Sequence, residues 1–284
     1  MLLLLGILLL MIGQNLLESP LRMEPALIED GIPTKLLDLA ADIGSTSTRL
    51  ERLLHPATAA GLASMVHIMN CYYSNLIEGH NTRPKDIEAA LQFAAPLPTD
   101  IPSTSQIESN VLRIGPEKGR LRNLLIEARA HVHVQAKIDV SYLSGAEAEP
   151  TSVSYIKWLH KEFYADATPS MLTVRDDHGE MHFVPGEWRS RTEHDVAIGR
   201  HVPPTSAMVA DFMTHFEKRY SMKGIGKGAA ILAIPAAHHR FNFIHPFPDG
   251  NGRVSRLMSH AMGHAAGIGA HGLWSVSRGL ARGI

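Results

Sequence analysis

The chain has 284 residues, of which 45% are hydrophobic and 19% charged. This length and composition are typical of a globular protein with one large or two modest domains. The formal net charge of −1 excludes a strongly basic surface that would attract nucleic acid or an anionic membrane. The single cysteine excludes an internal disulfide and a cysteine-cluster zinc site, and it agrees with a cytoplasmic location.

The N-terminal segment is apolar but short. Residues 1–12 fall well below the roughly 20 residues that a transmembrane helix needs. No basic region precedes the apolar run, and no small-residue cleavage site follows it. The sequence therefore predicts a protein without a membrane span, with residues 1–22 as an extension outside a fold that begins near Met23. A signal peptide or anchor is the alternative.

Apolar periodicity predicts a mainly α protein. The predicted helices span residues 35–54, 58–77, 84–94, 120–140, 152–164, 204–220 and 227–242, then one to about residue 266 and one over 273–281. Pro235 should kink the helix over 227–242 or restart it. Strand-like residues 171–174 and 181–184 flank a turn, which predicts a β-hairpin. Residues 95–119 are predicted to be a polar connector.

Two histidines lie four residues apart in a predicted helix, His260 and His264, and this spacing could let them share a metal ion. The residues between them are Ala-Met-Gly, so no acidic side chain separates them. Ordinary packing of these two histidines is the favoured interpretation.

The most informative segment is His245-Pro-Phe-Pro-Asp-Gly-Asn-Gly-Arg-Val-Ser-Arg256. A helical pattern follows it, so the loop should open a helix whose first N–H groups are unpaired donors for an anion. His245 has the side chain best suited to take a proton from an attacking hydroxyl near neutral pH. Asp249 is a hard oxygen ligand, suited to Mg²⁺ that bridges phosphates.

The remaining polar positions of this segment also suit a polyphosphate. Gly250, Asn251 and Gly252 would present backbone N–H groups to it, and Asn251 could donate from its side-chain amide as well. Arg253 and Arg256 lie three apart on one helix face, where both could neutralise a leaving polyphosphate. These residues predict a phosphoryl-type transfer but do not decide which phosphate is attacked.

The same segment resembles the signature loop of Fic-domain proteins, His-x-Phe-x-(Asp/Glu)-Gly-Asn-Gly-Arg-x-x-Arg, and every specified position is met. The resemblance implies a Fic-type helical bundle with a small β-hairpin flap beside the active-site loop. It also implies an N-terminal helical region over 23–140 and a catalytic domain over 141–284. The chain stops within its last predicted helix, whereas relatives of this type commonly continue, so the catalytic domain is expected to be truncated.

The Fic resemblance further implies a protein adenylyltransferase that uses ATP and Mg²⁺. In this assignment His245 is the base and Asp249 binds the metal, while the Gly-Asn-Gly turn and Arg253 contact the phosphates and Arg256 reaches the γ-phosphate. The related phosphoryl-transferring branch has lysine at the second loop glycine. Because Gly252 is retained, transfer of AMP to a Tyr, Thr or Ser hydroxyl of a target protein is favoured.

A second segment, Ser74-Asn-Leu-Ile-Glu78-Gly, resembles the Fic inhibitory helix, (Ser/Thr)-x-x-x-Glu-(Gly/Asn). A carboxylate at the end of a helix near residues 70–80 could pair with Arg256 and occupy the space that a γ-phosphate needs. This resemblance implies that the enzyme is auto-inhibited by Glu78, with Ser74 in the same motif.

Residues 171–189 resemble the Fic flap, which docks an extended segment of the target protein through main-chain hydrogen bonds. No nucleic-acid or membrane partner is expected of this chain, and a homodimer is left open. Two alternatives to the transferase also stay open. One is a de-adenylylating phosphodiesterase in which Glu78 activates a water at the same site, and the other is a non-catalytic ATP-sensing regulatory module.

Overall fold

The computed structural model describes residues 18–22, 24–25, 31–92, 117–146, 148–176 and 179–283. The apolar run over 1–17, the expected start at Met23, the connector over 95–116 and the centre of the hairpin turn at 177–178 lie outside the described residues. Within these ranges the protein is mainly helical, with one two-stranded antiparallel sheet. The predicted fold class is therefore confirmed.

Nine α-helices and two strands make up the described part of the chain. In chain order they are α1 (Thr34–Leu53), α2 (Pro56–Ile77), α3 (Pro84–Leu91), α4 (Glu117–Leu143), α5 (Val153–Phe163), β1 (Thr173–Asp176), β2 (Gly179–His182), α6 (Val209–Arg219), α7 (Lys227–Ile244), α8 (Asn251–Ala265) and α9 (Val276–Ala281). Strands β1 and β2 pair in antiparallel register, with Val174 opposite Met181.

Helix α8 is the centre of the molecule. Twelve of its 15 residues are buried, and it packs against α4, α5, α7 and α9. Because this helix directly follows the loop that begins at His245, its burial holds Arg253 in the first turn and Arg256 in the second turn against neighbouring helices. Helix α2 packs against α4 and α9 and so approaches the same region from another side.

Helix α2 has clear signals at both ends. Pro56 stands in the first turn, where its missing N–H costs nothing, and the ring of His55 accepts a hydrogen bond from Ala57 N at 3.3 Å. At the other end Glu78 is the C-cap, and Gly79 takes a left-handed φ of 79° that ends the helix. The Glu78 side chain is consequently placed at a helix terminus, as the sequence predicts.

Two local predictions differ from the structure. Helix α7 runs from Lys227 to Ile244 as one element, so Pro235 does not restart it, and a kink at this residue stays a prediction. The strands are shifted by two residues. Residues Pro169–Leu172 form a 3₁₀ turn capped by Thr168, and β1 can begin only after it.

Residues 18–22, which were expected to lie outside the fold, contact it. Thr205 Oγ1 donates to the carboxylate of Glu18 at 2.9 Å. The buried Arg240 donates to the backbone oxygens of Arg22, at 2.9 Å, and of Pro20, at 2.5 Å. The expectation was wrong for these five residues, because hydrophobicity alone does not reveal that their polar groups satisfy a buried guanidinium. The predicted division at residue 140 stays a prediction.

Among the described helices, none combines the length and the apolar character that a membrane span requires.

Candidate active site

The predicted catalytic loop starts where α7 ends, at His245. This residue has φ 49° and ψ 61°, a left-handed conformation that is uncommon outside glycine, and its N–H still donates to Phe241 O at 2.9 Å. Burial, together with the charges of Arg189 and His201, lowers the pKa of His245 to about 4. The imidazole is therefore neutral at pH 7 and can accept a proton.

Arg189, to which the sequence assigned no role, holds this end of the loop. Its side chain is 1% exposed, and its Nε donates to His245 O at 2.7 Å. The Nη2 group donates to Ile244 O at 3.0 Å and to Pro204 O at 2.5 Å. The Nη1 group donates to Ser206 Oγ at 3.1 Å. One planar guanidinium thus joins the end of α7 to the segment before α6, which a lysine could not do.

We expect Arg189→Met to destabilise the protein, because it leaves three backbone oxygens, those of Pro204, Ile244 and His245, without this donor. Each unsatisfied buried acceptor costs about 1–3 kcal/mol, so the free energy of unfolding should fall by about 3 kcal/mol or more. Urea unfolding measures this change. Arg191→Met, at an exposed arginine two residues away, is the matched control and should change it by less than about 0.5 kcal/mol. Equal losses in both variants would contradict the assignment.

The Gly-Asn-Gly turn is closed by its own polar groups. The Asn251 side chain accepts a hydrogen bond from Phe247 N at 2.9 Å and donates one to Phe247 O at 2.7 Å. Gly250 N donates to the Asp249 carboxylate at 2.7 Å. The Asn251 amide and the Gly250 N–H, both expected at a phosphate, are instead engaged within the loop. Gly250 has φ 78°, and a Cβ there would lie 2.8 Å from the Tyr164 hydroxyl oxygen.

Asp249 is held in a fixed orientation. Besides the bond from Gly250, its carboxylate accepts one from the Tyr164 hydroxyl at 2.9 Å. His160 Nε2 lies 3.2 Å from the Asp249 backbone oxygen. Since each carboxylate oxygen has a second lone pair, these contacts leave Asp249 able to coordinate a cation.

His160 connects the flap to the loop. Its Nδ1 accepts from Gly186 N at 2.8 Å, which makes Nε2 the atom that carries the proton and donates to Asp249 O. Its ring also stacks on Phe247, with ring centroids 3.8 Å apart. Burial lowers the pKa of His160 from 6.5 to about 4, which keeps it neutral in this double role.

The lowered pKa of His160 predicts a loss of stability in mild acid. In the unfolded chain His160 is protonated below about pH 6.5, whereas in the folded protein it is protonated only below about pH 4. The contribution of neutral His160 to folding stability is therefore complete above pH 6.5 and is lost as the pH falls from 6.5 to 4. From pH 6.5 to about pH 5 the His160 contribution should fall by about 2 kcal/mol. Urea unfolding at both pH values should show a smaller drop for His160→Gln than for wild type. The same drop in both would refute this.

Arg256 is paired with Glu78. Its Nη2 donates to Glu78 Oε1 at 2.5 Å, and its Nε donates to Ser74 Oγ at 2.8 Å. The Arg256 side chain is 3% exposed and that of Glu78 is 28% exposed. The expected contact between the end of α2 and the helix that follows the loop is therefore present, and Ser74 takes part in it.

Arg253 has a carboxylate partner that the sequence did not reveal. Its Nη1 lies 2.9 Å from Glu127 Oε1 on α4, and its guanidinium lies 5.5 Å from the centroid of the Phe163 ring. Burial raises the pKa of Glu127, while the charge of Arg253 opposes that rise. Both arginines expected at a polyphosphate are thus paired with carboxylates in this structure.

The comparisons with known proteins agree with this geometry. Residues 150–262 match the family model described as the Fic/DOC family. The match covers 113 of the 284 residues, and this part of the chain is similar to the Fic/DOC family. Two solved structures share the fold of this chain at low identity. One is a Fic domain containing signaling protein from Bacteroides thetaiotaomicron, with a TM-score of 0.52, 18% identity, and coverage of 82% of this chain and 74% of that chain.

The second structure is a Fic family protein from Desulfovibrio desulfuricans, with a TM-score of 0.52, 17% identity, and coverage of 81% of this chain and 57% of that one. Among curated proteins, the chain is similar to Protein adenylyltransferase Fic of Aedes aegypti, 37% identical over 82 residues. The protein of that name from Drosophila melanogaster is 34% identical over 82 residues. These matches cover 29% of this chain and 16% of the length of the relatives.

The Fic loop leaves one cluster of donors without a partner in the helix. Asn251, Gly252 and Arg253 are the first residues of α8. Their backbone N–H groups therefore have no carbonyl acceptor within the helix. The Glu78 carboxylate stands beside them, since a Cβ on Gly252 would collide with Glu78 Oε1 and would lie 3.1 Å from an Arg256 nitrogen. The space beside this helix terminus is therefore occupied by an anionic side chain.

Proposed function

We propose that this chain is a protein adenylyltransferase, which transfers AMP from ATP to a Tyr, Thr or Ser hydroxyl of a target protein. The observation that carries the proposal is the Fic loop. A neutral imidazole at His245 precedes a helix whose free N–H groups and two buried arginines suit a polyphosphate. The names of the curated relatives support AMP as the transferred group.

The transfer needs a base, an anion site and an aligned hydroxyl. The target oxygen forms a bond to the α-phosphorus while the bond to the pyrophosphate breaks. His245 accepts the hydroxyl proton as this occurs. Arg256, with the N–H groups at the start of α8, would stabilise the negative charge that moves onto pyrophosphate. Arg253 would add to this once a phosphate competes with Glu127.

Asp249 fits a magnesium ion bound with ATP. Its carboxylate is oriented by Tyr164 and Gly250 and keeps lone pairs free for a cation. When bound, Mg²⁺ would neutralise phosphate charge. The protein contributes the fixed direction of this carboxylate, and the link through His160 makes that direction depend on the flap.

The flap offers a docking edge for the target. Strands β1 and β2 form a two-stranded sheet within the described residues, and β2 is mostly exposed. Val184, just after β2, is 64% exposed. An extended target segment could add to this sheet by main-chain hydrogen bonds, which would bring its hydroxyl toward His245 without requiring a particular sequence.

We further propose that Glu78 holds the enzyme in an auto-inhibited state. Its carboxylate occupies Arg256 and lies against Gly252, where the terminal phosphate would otherwise be bound. ATP that binds while Glu78 is in place would hold its α-phosphorus out of line with the attacking hydroxyl oxygen. Ser74 reinforces the pair by accepting from the same guanidinium.

A hydrolytic activity is the second candidate. The Glu78 carboxylate is partly exposed and stands next to the proposed phosphate site, where it could orient or deprotonate a water. Such a water would attack an AMP–protein ester and release AMP. The Glu78 carboxylate would then inhibit AMP transfer and assist hydrolysis of the AMP–protein ester.

One assay separates these functions. Wild type, His245→Ala and Glu78→Gly are incubated with Mg²⁺ and ATP labelled at the α-phosphate. Label that reaches protein only when His245 is present supports the transferase. Release of AMP from a previously modified protein, lost on removal of Glu78, supports the hydrolase. Nucleotide binding with no turnover in any variant would leave only the ATP-sensing regulatory role.

A further inference from the structure

A buried carboxylate in the middle of the helical bundle faces three histidines. Asp139 on α4 lies 2.5 Å from His260 Nε2 and 2.7 Å from His264 Nε2, both measured at its Oδ1. Its Oδ2 lies 2.6 Å from His67 Nε2. All four side chains are between 6% and 11% exposed. His260 and His264 follow Arg256 on α8, whereas His67 and Asp139 come from α2 and α4, and the proposed transfer uses none of the four.

The arrangement of three of these groups suits a metal ion. His260 and His264 are one helical turn apart on α8, so their rings project from the same face. Asp139, His260 and His264 each offer one ligand atom, and these three atoms lie within 4.8 Å of one another. Zinc binds imidazole nitrogens and carboxylate oxygens at about 2.0–2.2 Å, so one ion can reach three atoms that are this close after small side-chain shifts.

We propose that Asp139, His260 and His264 bind a divalent transition-metal ion of the zinc type. His67 is a positioning residue, since it holds the second oxygen of Asp139 and thereby directs Oδ1 toward the ion. Two imidazole nitrogens and one carboxylate oxygen favour zinc-type ions over Mg²⁺, which prefers oxygen ligands. The site is distinct from the magnesium position at Asp249.

The surrounding chain closes over this cluster. Gly272 has φ 84°, and a Cβ on it would collide with Asp139 Oδ2. The ring of Tyr142 stacks on that of His264, with centroids 5.0 Å apart. Backbone on one side and an aromatic ring on another restrict access to water, as is usual for a structural metal site.

The ion would tie together the elements that carry the proposed inhibitory contact. His67 belongs to α2, the helix whose C-cap is Glu78, and His260 lies one turn after Arg256 on α8. A metal between α4 and α8, with His67 hydrogen-bonded to its carboxylate ligand, would fix the positions of α2, α4 and α8 relative to one another. This consequence rests on the proposed function, whereas metal binding itself does not.

The test measures metal on the full chain, purified without a histidine tag or chelator. We expect about one zinc per chain by elemental mass spectrometry in wild type. His264→Gln keeps a donor toward Asp139 but is a poor ligand, and its zinc content should fall at least about tenfold. His239→Ala, at an exposed histidine on α7, is the control and should retain the metal.

A second measurement protects the test against a variant that misfolds. Wild type is stripped with chelator and titrated with Zn²⁺ while its thermal midpoint is followed. A midpoint that rises with Zn²⁺ in wild type and in His239→Ala, but not in His264→Gln, supports the site. Wild type that purifies without stoichiometric metal and whose midpoint does not respond to Zn²⁺ would overturn it, because the cluster would then be a hydrogen-bonded network only.

Discussion

Glu78→Gly should raise the rate of AMP transfer to protein, including self-modification, by about 10- to 100-fold over wild type. The substitution removes a charge-assisted hydrogen bond of Arg256, and such a bond contributes about 1.5–3 kcal/mol, with about 1.4 kcal/mol for each tenfold. It also clears the carboxylate from beside Gly252. Incorporation of label from α-labelled ATP at saturating Mg²⁺ measures the change.

Two further variants make the Glu78 result specific. Glu78→Gln keeps the size of the side chain and one acceptor but loses the charge, so its rate should lie between those of wild type and Glu78→Gly. Glu51→Gln neutralises an exposed carboxylate that pairs with His271, and it should leave the rate unchanged. If Glu78→Gly is no faster than wild type, the inhibitory role of Glu78 is wrong even though the ion pair exists.

His245 substitution in the Glu78→Gly background should lower the rate of AMP transfer by about 10²–10⁴-fold, the range that a positioned general base contributes. Alanine removes the imidazole but also changes a residue held at φ 49°. Asparagine tolerates the left-handed conformation better, so His245→Asn separates loss of the base from strain in the loop. Both variants should lose activity while still binding ATP.

His239→Ala is the matched control for His245. It removes an exposed imidazole six residues earlier, on α7, and should leave the rate within about twofold of its parent, since surface changes are usually small. Transfer that survives in His245→Asn at the parental rate would show that another group takes the proton, and the assignment of the base would fail.

Features that depend on a few neighbouring residues could be predicted from the sequence. The loop from His245 to Arg256, and Glu78 followed by a left-handed glycine, could each be read from neighbouring residues because helix ends have short-range signals. Helix positions followed from apolar periodicity for the same reason. The contact between Glu78 and Arg256 spans 178 residues, and only the resemblance to a known motif suggested it.

The residues that support the site could not be predicted in this way. Arg189 reaches the His245 oxygen across 56 residues, and Tyr164 reaches Asp249 across 85. No periodicity or spacing connects such pairs, because packing alone brings them together. Glu127 beside Arg253 was missed for the same reason.

The histidine pair on α8 illustrates this limit most clearly. No acidic residue lies between His260 and His264, so the sequence favours ordinary packing of this pair. The carboxylate that faces both is Asp139, which lies 121 residues before His260. A metal site assembled from separate helices has no sequence signature until the helices are placed.

We propose that AMP transfer at the Fic loop depends on His245 as the base. The most direct measurement compares Glu78→Gly protein incubated with ATP labelled at the α-phosphate and, separately, at the γ-phosphate. We expect protein labelled from the α-position alone, with pyrophosphate released in equal amount and the label lost in the His245→Asn variant. Protein labelled from the γ-position would contradict it, because the reaction would then be a phosphoryl transfer.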